Sequence, residues 1–415
     1  MRVQINIIQW VLICVCVSAT ACGTKQQSAE SSIVRDDVVL FEAGQNGYEQ
    51  CRIPAIAITP KGTILTFCEA RKRISDWADI DIFMRRSTDG GDTWEPPVNL
   101  VDGSGDYRSN SVALRNNGQS DEITVNNPVP IVDVQTGQLH FLYCIEYAQC
   151  YYMSSIDEGK TFTDPVEITD TFEQFRSEYD WKVIATGPGH GIQLENGRLI
   201  VPVWLSTGTG GGAHRPSIVS TIFSDDHGKT WHRGDVVATT TEMAPNPSET
   251  LVLELADGRV MLNIRNESKR NRRLVAVSPD GATNWSEPEF DEDLFEPICM
   301  ASLIRLSKTP ESDKNRILFA NPDSRNADPF TPGSVYYPRQ NITLRMSYDE
   351  GQTWPVFKVL ETGKSGYSDL AVGPEGWIYC FFEQGVAGDR DTHTARLTVA
   401  RFTLGWLTDG QDTVQ

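Results

Sequence analysis

Short runs of apolar residues recur along the chain, and most of them follow a turn that contains glycine. Within a run the residues are wholly apolar or alternate between apolar and polar. The clearest runs lie at residues 62–67, 138–143, 198–204, 259–264 and 377–382. Such short runs between turn residues are typical of β-strands, and no long stretch repeats apolar residues at helical spacing. The pattern predicts an all-β protein.

An eight-residue motif, S-x-D-x-G-x-T-W, lies between these runs. Copies begin at Ser87, Ser155, Ser224 and Ser347, with Phe as the last residue of the second, and a degenerate copy begins at Ser278. We expect the Asp side chain to accept hydrogen bonds from backbone amides of a tight turn. The Gly should adopt a positive φ, and the Ser and Thr hydroxyls should close the turn.

Repetition of this motif indicates repeated supersecondary units, because three of the four intervals between copies are close to 70 residues long. Five copies and a C-terminal unit at residues 369–401 predict a six-bladed β-propeller. In this interpretation the motifs shape the blades and lie away from any functional site.

The first residues have the layout of a secretory signal. Arg2 precedes an apolar stretch at 7–17, and small residues at 18–21 lead to Cys22. This layout resembles the bacterial lipobox and predicts a lipoprotein-type signal peptide at 1–21, with Cys22 as the lipid-bearing residue. Release after plain cleavage and a retained signal anchor are the alternatives.

We expect a flexible tether at 22–36, the propeller at 37–406 and a polar C-terminal tail at 407–415. The protein is then exported, as a lipoprotein of the outer membrane or cell surface or of the periplasm. Its contact with the membrane is through the anchor alone.

The formal net charge of −19 argues against nucleic acid as a partner, because phosphate binding needs a positive surface. An anionic substrate would need a local cluster of arginines. Six cysteines follow Cys22, and most lie within apolar runs. We expect buried free thiols there, with at most one or two disulfides. No C-x-x-C spacing or Cys/His cluster suggests a metal site, and no cofactor is expected.

Three charged residues stand out by their surroundings. Arg52 lies at the start of a strand-like run, where an unpaired guanidinium would be costly, so a structural ion pair is one reading. Glu383 lies within an apolar run and needs a cationic partner. Asp76 lies in a loop after Arg71, where it is either a proton donor or a plain loop carboxylate.

Several motifs carry a resemblance to a known family. They are Arg-Ile-Pro at 52–54, Glu-Ala-Arg at 69–71, the five copies of the eight-residue motif (the Asp boxes), Thr-Gly-Pro-Gly-His-Gly at 186–191, the block at 248–265 and Gly-Tyr-Ser-Asp at 366–369. With these motifs the chain resembles a bacterial exo-α-sialidase of the six-bladed Asp-box (BNR repeat) superfamily. The resemblance covers residues 38–404, nearly the whole mature chain.

The resemblance implies a role for each matching residue. Arg52, Arg265 and Arg339 would grip the substrate carboxylate, since guanidinium forks suit that planar anion. Asp76 would be the general acid, Tyr367 the nucleophile and Glu249 the base that takes its proton. Arg325 and Arg345 lie near Arg339 in the sequence and are alternatives to it. Only the spacing of 28 residues between Arg339 and Tyr367 favours Arg339. Taken alone, Tyr367 would more often be an ordinary packed aromatic residue, and Glu249 would be a surface acid at a strand end.

Supporting roles follow from the same resemblance. Glu383 would orient Arg52, and Glu69 and Arg71 would line the site, with Arg71 binding a substrate hydroxyl. Shielding by substrate and by Trp77 is expected to raise the pKa of Asp76, so that it is protonated when the leaving oxygen needs a proton. For His190 we expect a hydrogen bond that stabilises its loop, in preference to metal binding.

The implied activity is hydrolysis of terminal α-linked sialic acids from glycoproteins, glycolipids or oligosaccharides, with retention of configuration, by a monomer without cofactor. Two alternatives remain open at this point. One is a non-catalytic propeller that binds glycans at the cell surface, because a fold does not dictate function. The other is a trans-sialidase or intramolecular sialidase, which differs in its product.

Overall fold

A computed structural model describes residues 35–116, 118–119, 121–325, 338–387 and 393–412. The segments Met1–Glu30 and Ser31–Gln415 form separate units, and every described residue belongs to the second. The predicted signal peptide, Cys22 and nearly all of the predicted tether lie outside the described residues.

The strands form antiparallel blades that follow one another along the chain, after an opening strand β1 (Arg35–Glu42). Blade 1 consists of β2 (Gln50–Ile58), β3 (Ile64–Arg71), β4 (Ile80–Ser87) and β5 (Val98–Val101). Blade 2 consists of β6 (Val125–Val132), β7 (Leu139–Ile145), β8 (Gln149–Ser155) and β9 (Val166–Glu167). Blade 3 consists of β10 (Val183–Thr186), β11 (Ile192–Gln193), β12 (Leu199–Ser206), β13 (Ser217–Ser224), β14 (His232–Arg233) and β15 (Ala238–Thr239).

The second half of the ring is built in the same way. Blade 4 consists of β16 (Thr250–Glu254), β17 (Val260–Ile264), β18 (Arg272–Ser278) and β19 (Glu289–Phe295). Blade 5 consists of β20 (Ser302–Ser307), β21 (Arg316–Pro322), β22 (Gln340–Ser347) and the first part of β23 (Val356–Val372). Blade 6 consists of the second part of β23, β24 (Ile378–Val386), β25 (Thr394–Phe402) and β1.

Two connections complete the ring. The long strand β23 pairs with β22 through its first half and with β24 through its second half, so it is shared by blades 5 and 6. Strand β1 pairs antiparallel with β25, which joins the start of the described chain to its last blade. The predicted all-β, six-bladed propeller is thereby confirmed.

Helical segments are short and lie between or after the strands. They are Ser111–Arg115, Asp170–Glu173 and Leu404–Leu407, with single 3-10 turns at Gln174–Ser177, Gly211–Ala213 and Pro374–Gly376. Within the described part of the chain, no helix has the length and apolar character needed to cross a membrane.

The hydrophobic core is divided among the interfaces between neighbouring blades. Each of six buried apolar clusters lies mainly between two neighbouring blades. Between blades 1 and 2, for example, the rings of Phe67 and Phe141 are fully buried with centroids 4.7 Å apart. Burying such a side chain contributes about 2–3 kcal/mol. Blade-to-blade packing therefore holds the inner strands, and the side chains at their ends, in fixed positions.

The Asp boxes have the predicted turn. In the third copy, Asp226 Oδ1 accepts hydrogen bonds from Ser224 Oγ (2.8 Å) and Thr230 N (2.9 Å), and Asp226 Oδ2 accepts one from Thr230 Oγ1 (2.7 Å). Gly228 has a φ of +80° and donates its N–H to Ser224 Oγ (2.9 Å). The same bonds recur in the copies at 87, 155 and 347.

The box also links each blade to the one before it, through the residue that follows the Asp. Glu158 accepts a hydrogen bond from Thr59 of blade 1, and His227 contacts the buried carboxylate of Asp133 in blade 2 (2.6 Å). In blade 5 the corresponding residue, Glu350, accepts the N–H of Ala256 (2.7 Å). This position is variable in the motif, so its role becomes clear only in the folded ring.

The structure also bears on the expected free thiols and on the expected C-terminal tail. All six cysteines from Cys51 onward are buried free thiols. The predicted polar tail begins with packed residues, because Asp412 is 6% exposed and forms an ion pair with the fully buried Arg316 (2.7 Å).

Candidate active site

One cleft of about 320 Å³ lies where the inner strands of several blades end. It is lined by the predicted residues Arg52, Arg71, Asp76, Glu249, Arg265, Arg339 and Tyr367. Blade 1 supplies residues from the start of β2 and the end of β3, and these are antiparallel neighbours, with Gln50 opposite Arg71. Asp76 comes from the loop between β3 and β4 of the same blade. Blade 4 supplies Glu249 and Arg265, blade 6 supplies Tyr367, and the segment before β22 supplies Arg339. Ring closure therefore assembles a site from distant parts of the chain.

Tyr367 lies at the centre of this cleft. Its hydroxyl donates a hydrogen bond to Glu249 Oε1 (2.5 Å) and accepts one from Arg265 Nη1 (2.7 Å). The guanidinium carbons of Arg52 and Arg339 lie 5.1 and 5.2 Å from the centre of its ring. Three cations thus surround one phenol whose proton already points at a carboxylate.

Burial is the largest influence on Tyr367 and raises its pKa above the ordinary value of a phenol. Arg265 opposes this shift, and the negative charge of Glu249 adds to it. The phenol is therefore protonated at neutral pH. Ionisation during a reaction would need transfer of the proton to Glu249, which is in direct contact.

The predicted pairing of Arg52 with Glu383 is present. Arg52 Nε donates to Glu383 Oε1 (2.9 Å), and Arg52 Nη2 donates to Oε2 (3.3 Å). Glu383 also accepts the backbone N–H groups of Ile53 (3.2 Å) and Tyr367 (3.0 Å). One buried carboxylate therefore orients an arginine and two backbone segments at the cleft.

Asp76 lies at the mouth of the cleft, with a side chain that is 47% exposed. Arg71 Nη1 donates to its Oδ1 (2.7 Å), and the same arginine pairs with Glu69, so Arg71 itself is only 2% exposed. The surrounding protein atoms alone would raise the pKa of Asp76. The charges of Arg71, His214 and Arg52 outweigh this effect and lower the pKa well below its ordinary value.

The expectation that the pKa of Asp76 is raised is therefore wrong for the free protein. Trp77 is buried (3% exposed): its ring packs against Tyr147, and its indole N–H donates to the carbonyl of Gly212 (3.3 Å). The physical reason for the error is Arg71, whose charge is held beside Asp76 by Glu69.

Arg339 is the arginine of its segment that reaches the cleft. Its Nη2 donates to the carbonyl of Ile298 (2.6 Å). The nearby alternatives, Arg325 and Arg345, both bind Asp323 (2.7 and 2.8 Å), and neither is among the described residues that line the cleft.

His190 makes the predicted hydrogen bond, to Asp369 Oδ1 (2.7 Å). The bond joins the inner part of blade 3 to the inner strand of blade 6, because Asp369 lies in β23 and is fully buried. His190 therefore has a structural partner behind the cleft.

Further side chains line the cleft without a clear signal in the sequence. They include Asn127, Tyr147, Trp204 and His214. The His214 ring lies 5.2 Å from the rings of both Tyr147 and Trp204. Burial lowers the pKa of His214, against the attraction of Asp76 and Glu249. The glycine-rich sequence before His214 is the one available hint, because such a sequence is typical of a loop that approaches a ligand.

The donor set of the cleft suits an anion rather than a metal ion, because guanidinium groups supply hydrogen bonds and positive charge. Among the described residues, no group of three or more His, Cys, Asp or Glu side chains is placed to hold a metal ion.

Sequence comparison finds similar proteins of known type, among them two sialidases. The chain is 30% identical to a sialidase of Micromonospora viridifaciens over 390 residues, which cover 88% of this chain and 53% of that protein. It is 29% identical to a sialidase of Bacteroides fragilis over 380 residues, which cover 85% of this chain and 63% of that protein. The chain thus spans between about half and two thirds of the length of these relatives.

Structural comparison agrees with this relationship. The Hadza microbial sialidase Hz136 superposes with a TM-score of 0.70 at 26% identity, over 89% of this chain and 69% of that chain. The family model for the BNR repeat-like domain matches residues 108–380, which is more than half of the chain. The chain belongs to the BNR repeat-like domain family.

Proposed function

We propose that this protein is a glycoside hydrolase, an exo-α-sialidase that releases terminal α-linked sialic acid with retention of configuration. The observation that carries the proposal is the position of Tyr367, whose ring lies beside Arg52 and Arg339 and whose hydroxyl is hydrogen-bonded to Glu249 and Arg265. The relatives named sialidase support the same substrate class.

Substrate binding begins with the carboxylate of the sugar. Arg52, Arg265 and Arg339 present three guanidinium groups around one point, where a planar anion accepts their hydrogen bonds. This local positive cluster offsets the net charge of −19, which would otherwise repel an anion.

The nucleophile follows from the charge of the substrate. Sialic acid carries a carboxylate on its anomeric carbon, and a carboxylate nucleophile would be repelled by it. A neutral phenol avoids this repulsion, and tyrosine is a known nucleophile of sialidases. Tyr367 loses its proton to Glu249 as it attacks, and Arg265 stabilises the charge that develops on the phenol oxygen.

The proton donor is Asp76, which faces the cleft from its mouth. In the free protein its pKa is lowered, so the carboxyl group is ionised. Binding of the substrate carboxylate to Arg52 cancels part of the positive charge that causes this shift. The pKa of Asp76 then rises, and Asp76 protonates the leaving oxygen and afterwards activates the water that releases the sugar.

The test is hydrolysis of a fluorogenic α-sialoside by the purified protein, with a matched glycoside that lacks the carboxylate as control. We expect cleavage of the sialoside alone, and Asp76→Ala should lose most of the rate. Equal cleavage of both sugars, or a wild-type rate in the variant, would contradict the proposal. Mass spectrometry of the product separates free sialic acid from an anhydro or transferred sugar.

A further inference from the structure

Arg339 differs from the other two arginines of the proposed clamp in how it is oriented. Arg52 and Arg265 pair with the carboxylates of Glu383 and Glu249, whereas Arg339 forms an ion pair with no carboxylate of the described residues. Its Nη2 donates to the carbonyl of Ile298 (2.6 Å). The position of Arg339 therefore depends on where the loop between β19 and β20 places that carbonyl.

The backbone at this point is strained. Ile298 has a φ of +60°, in the left-handed region that β-branched residues avoid. Such a conformation persists only where surrounding contacts impose it, and it concentrates at functional sites.

A fully buried ion pair supplies those contacts. Glu296 Oε1 accepts the N–H of Cys299 (2.9 Å), and Glu296 Oε2 accepts a hydrogen bond from Arg273 Nη1. Arg273 Nη1 also donates to the carbonyl of Cys299 (3.3 Å), so the pair holds Cys299 through both its amide and its carbonyl. Arg273 is anchored in turn to Asn263 through Oδ1 (2.7 Å) and the backbone oxygen (3.0 Å).

The same arrangement occurs twice more around the cleft. Glu383, paired with Arg52, accepts the N–H of Ile53, whose φ is +59°. Glu69, paired with Arg71, accepts the N–H of Asn127 (2.9 Å), whose φ is +55°. In all three places a buried Arg–Glu pair holds a backbone segment that contains a residue with a positive φ, and in two of them that residue is a β-branched isoleucine.

We propose that the Arg273–Glu296 pair is a positioning device that fixes the Ile298 carbonyl and through it Arg339, and that it thereby sets the affinity of the site for the substrate carboxylate. The inference rests on the proposed function, because it assigns Arg339 to that carboxylate. Neither Arg273 nor Glu296 is among the described residues that line the cleft, so both are positioning residues that act through the loop.

The experiment replaces the pair by apolar residues, as Arg273→Met with Glu296→Leu, because removing both buried charges together preserves folding far better than removing one. KM for the fluorogenic sialoside should rise roughly tenfold, the effect of losing a hydrogen bond to a charged group. The value of kcat should stay within about twofold, because the carboxylate is bound equally in the ground state and the transition state.

A double-mutant cycle tests the route of the effect. In an Arg339→Ala background, the added Arg273→Met/Glu296→Leu change should leave KM nearly unaltered, since the residue through which the pair acts is absent. The matched control is Arg316→Met with Asp412→Leu, a second buried ion pair, which joins blade 5 to the C-terminal segment and lies outside the cleft lining. It should change the melting temperature and leave KM at the wild-type value.

The variant Arg273→Lys is a second test, in which both buried charges are kept. The lysine retains a cation beside Glu296 but cannot reach Asn263 and Cys299 at once, so KM should rise by a smaller factor. An unchanged KM in both Arg273 variants would overturn the inference, and so would an equal rise in KM with and without Arg339. If the wild-type protein still cleaves the sialoside, the proposed function is unaffected by either result. A wild-type protein that cleaves no sialoside would instead overturn the proposed function.

Discussion

Charged residues are used in opposite ways at two places in the blades: the turns formed by the Asp boxes, here called the box end, and the strand ends that line the cleft, here called the site end. At the box end, Asp226 receives its hydrogen bonds from residues no more than four positions away, within one turn. At the site end, Arg52 and Glu383 are 331 residues apart, and Tyr367 and Glu249 are 118 apart. The first arrangement forms within one hairpin, whereas the second exists only after the ring closes.

The difference separates stability from activity. A box carboxylate has no task beyond its turn and its blade, so its loss should weaken the fold and spare the chemistry. A cleft residue such as Tyr367 faces an opening, so its loss should stop the chemistry and spare the fold.

The largest effect is expected for Tyr367→Phe. Phenylalanine keeps the ring beside Arg52 and Arg339 but removes the oxygen that we propose as the nucleophile, so kcat should fall by about 1,000-fold or more. The free energy of unfolding should change by less than about 1 kcal/mol. Steady-state kinetics and thermal unfolding of the same preparation check both values, and a large loss of stability would remove the distinction between the two ends.

Glu383→Gln should reduce both stability and activity, because Glu383 lies at the cleft and also holds buried parts of the fold together. Its carboxylate accepts four hydrogen bonds, from Arg52 (two), Ile53 and Tyr367. Leaving a buried arginine without its partner costs about 3–5 kcal/mol. We expect denaturant unfolding to show this loss together with a raised KM. Loss of activity at unchanged stability would mean that Glu383 behaves like the other cleft residues.

Binding of a non-hydrolysable sialic acid analogue should depend on pH through Asp76. The pKa of Asp76 is lowered in the free protein and should rise when an anion occupies the cleft. Binding then takes up a proton, and affinity should improve as pH falls, by up to about tenfold per pH unit between these two pKa values.

Asp76→Asn is the control for this measurement, because the amide does not titrate. Its affinity for the analogue should vary little over the same pH range. Calorimetric titrations at several pH values compare the two proteins. An equal pH dependence in both would assign the proton uptake to another group.

The smallest effect is expected at the box end. Asp226→Ala removes three hydrogen bonds from one turn and should lower the free energy of unfolding by about 1–3 kcal/mol. The ratio kcat/KM at a temperature well below melting should equal that of the wild type. A drop in kcat/KM without a change in melting would show that the box reaches the site.

A pH scan of stability sharpens the same point. Partial burial by itself would raise the pKa of Asp226, but hydrogen bonds from Thr230 and Ser224 outweigh it and lower the pKa to about 2. Because the folded pKa is below the unfolded one, the stabilisation is present above the unfolded pKa and is lost as pH falls toward about 2. Wild type and Asp226→Ala should therefore converge in stability at acid pH.

The parts of the fold that sequence reasoning predicts are those with local causes. The turn at Ser224–Trp231 follows from side chains that bond within eight residues, and repetition of the turn leads to six blades. The contacts of Arg52 with Glu383 could be named only through resemblance to a family, because no spacing rule connects residues on the first and last blades.

The parts that it misses depend on burial and on neighbours that are distant in sequence. The pKa of Asp76 is lowered because Glu69 fixes Arg71 beside it, and this follows from side-chain geometry rather than from residue order. Glu296 looks like an ordinary acid at a strand end, yet it is fully buried and paired with Arg273. His214 reaches the cleft from a loop whose path cannot be read from periodicity.

The most direct test of the account is covalent labelling of the nucleophile. A 2,3-difluoro sialic acid should be attacked at its anomeric carbon with loss of fluoride, and the second fluorine slows release of the sugar from the protein. Intact-mass measurement followed by peptide mapping should place one sugar on Tyr367 in the wild type and none in Tyr367→Phe. A label on Glu249 or Asp76, or hydrolysis of sialosides with no adduct on Tyr367, would contradict the proposed mechanism.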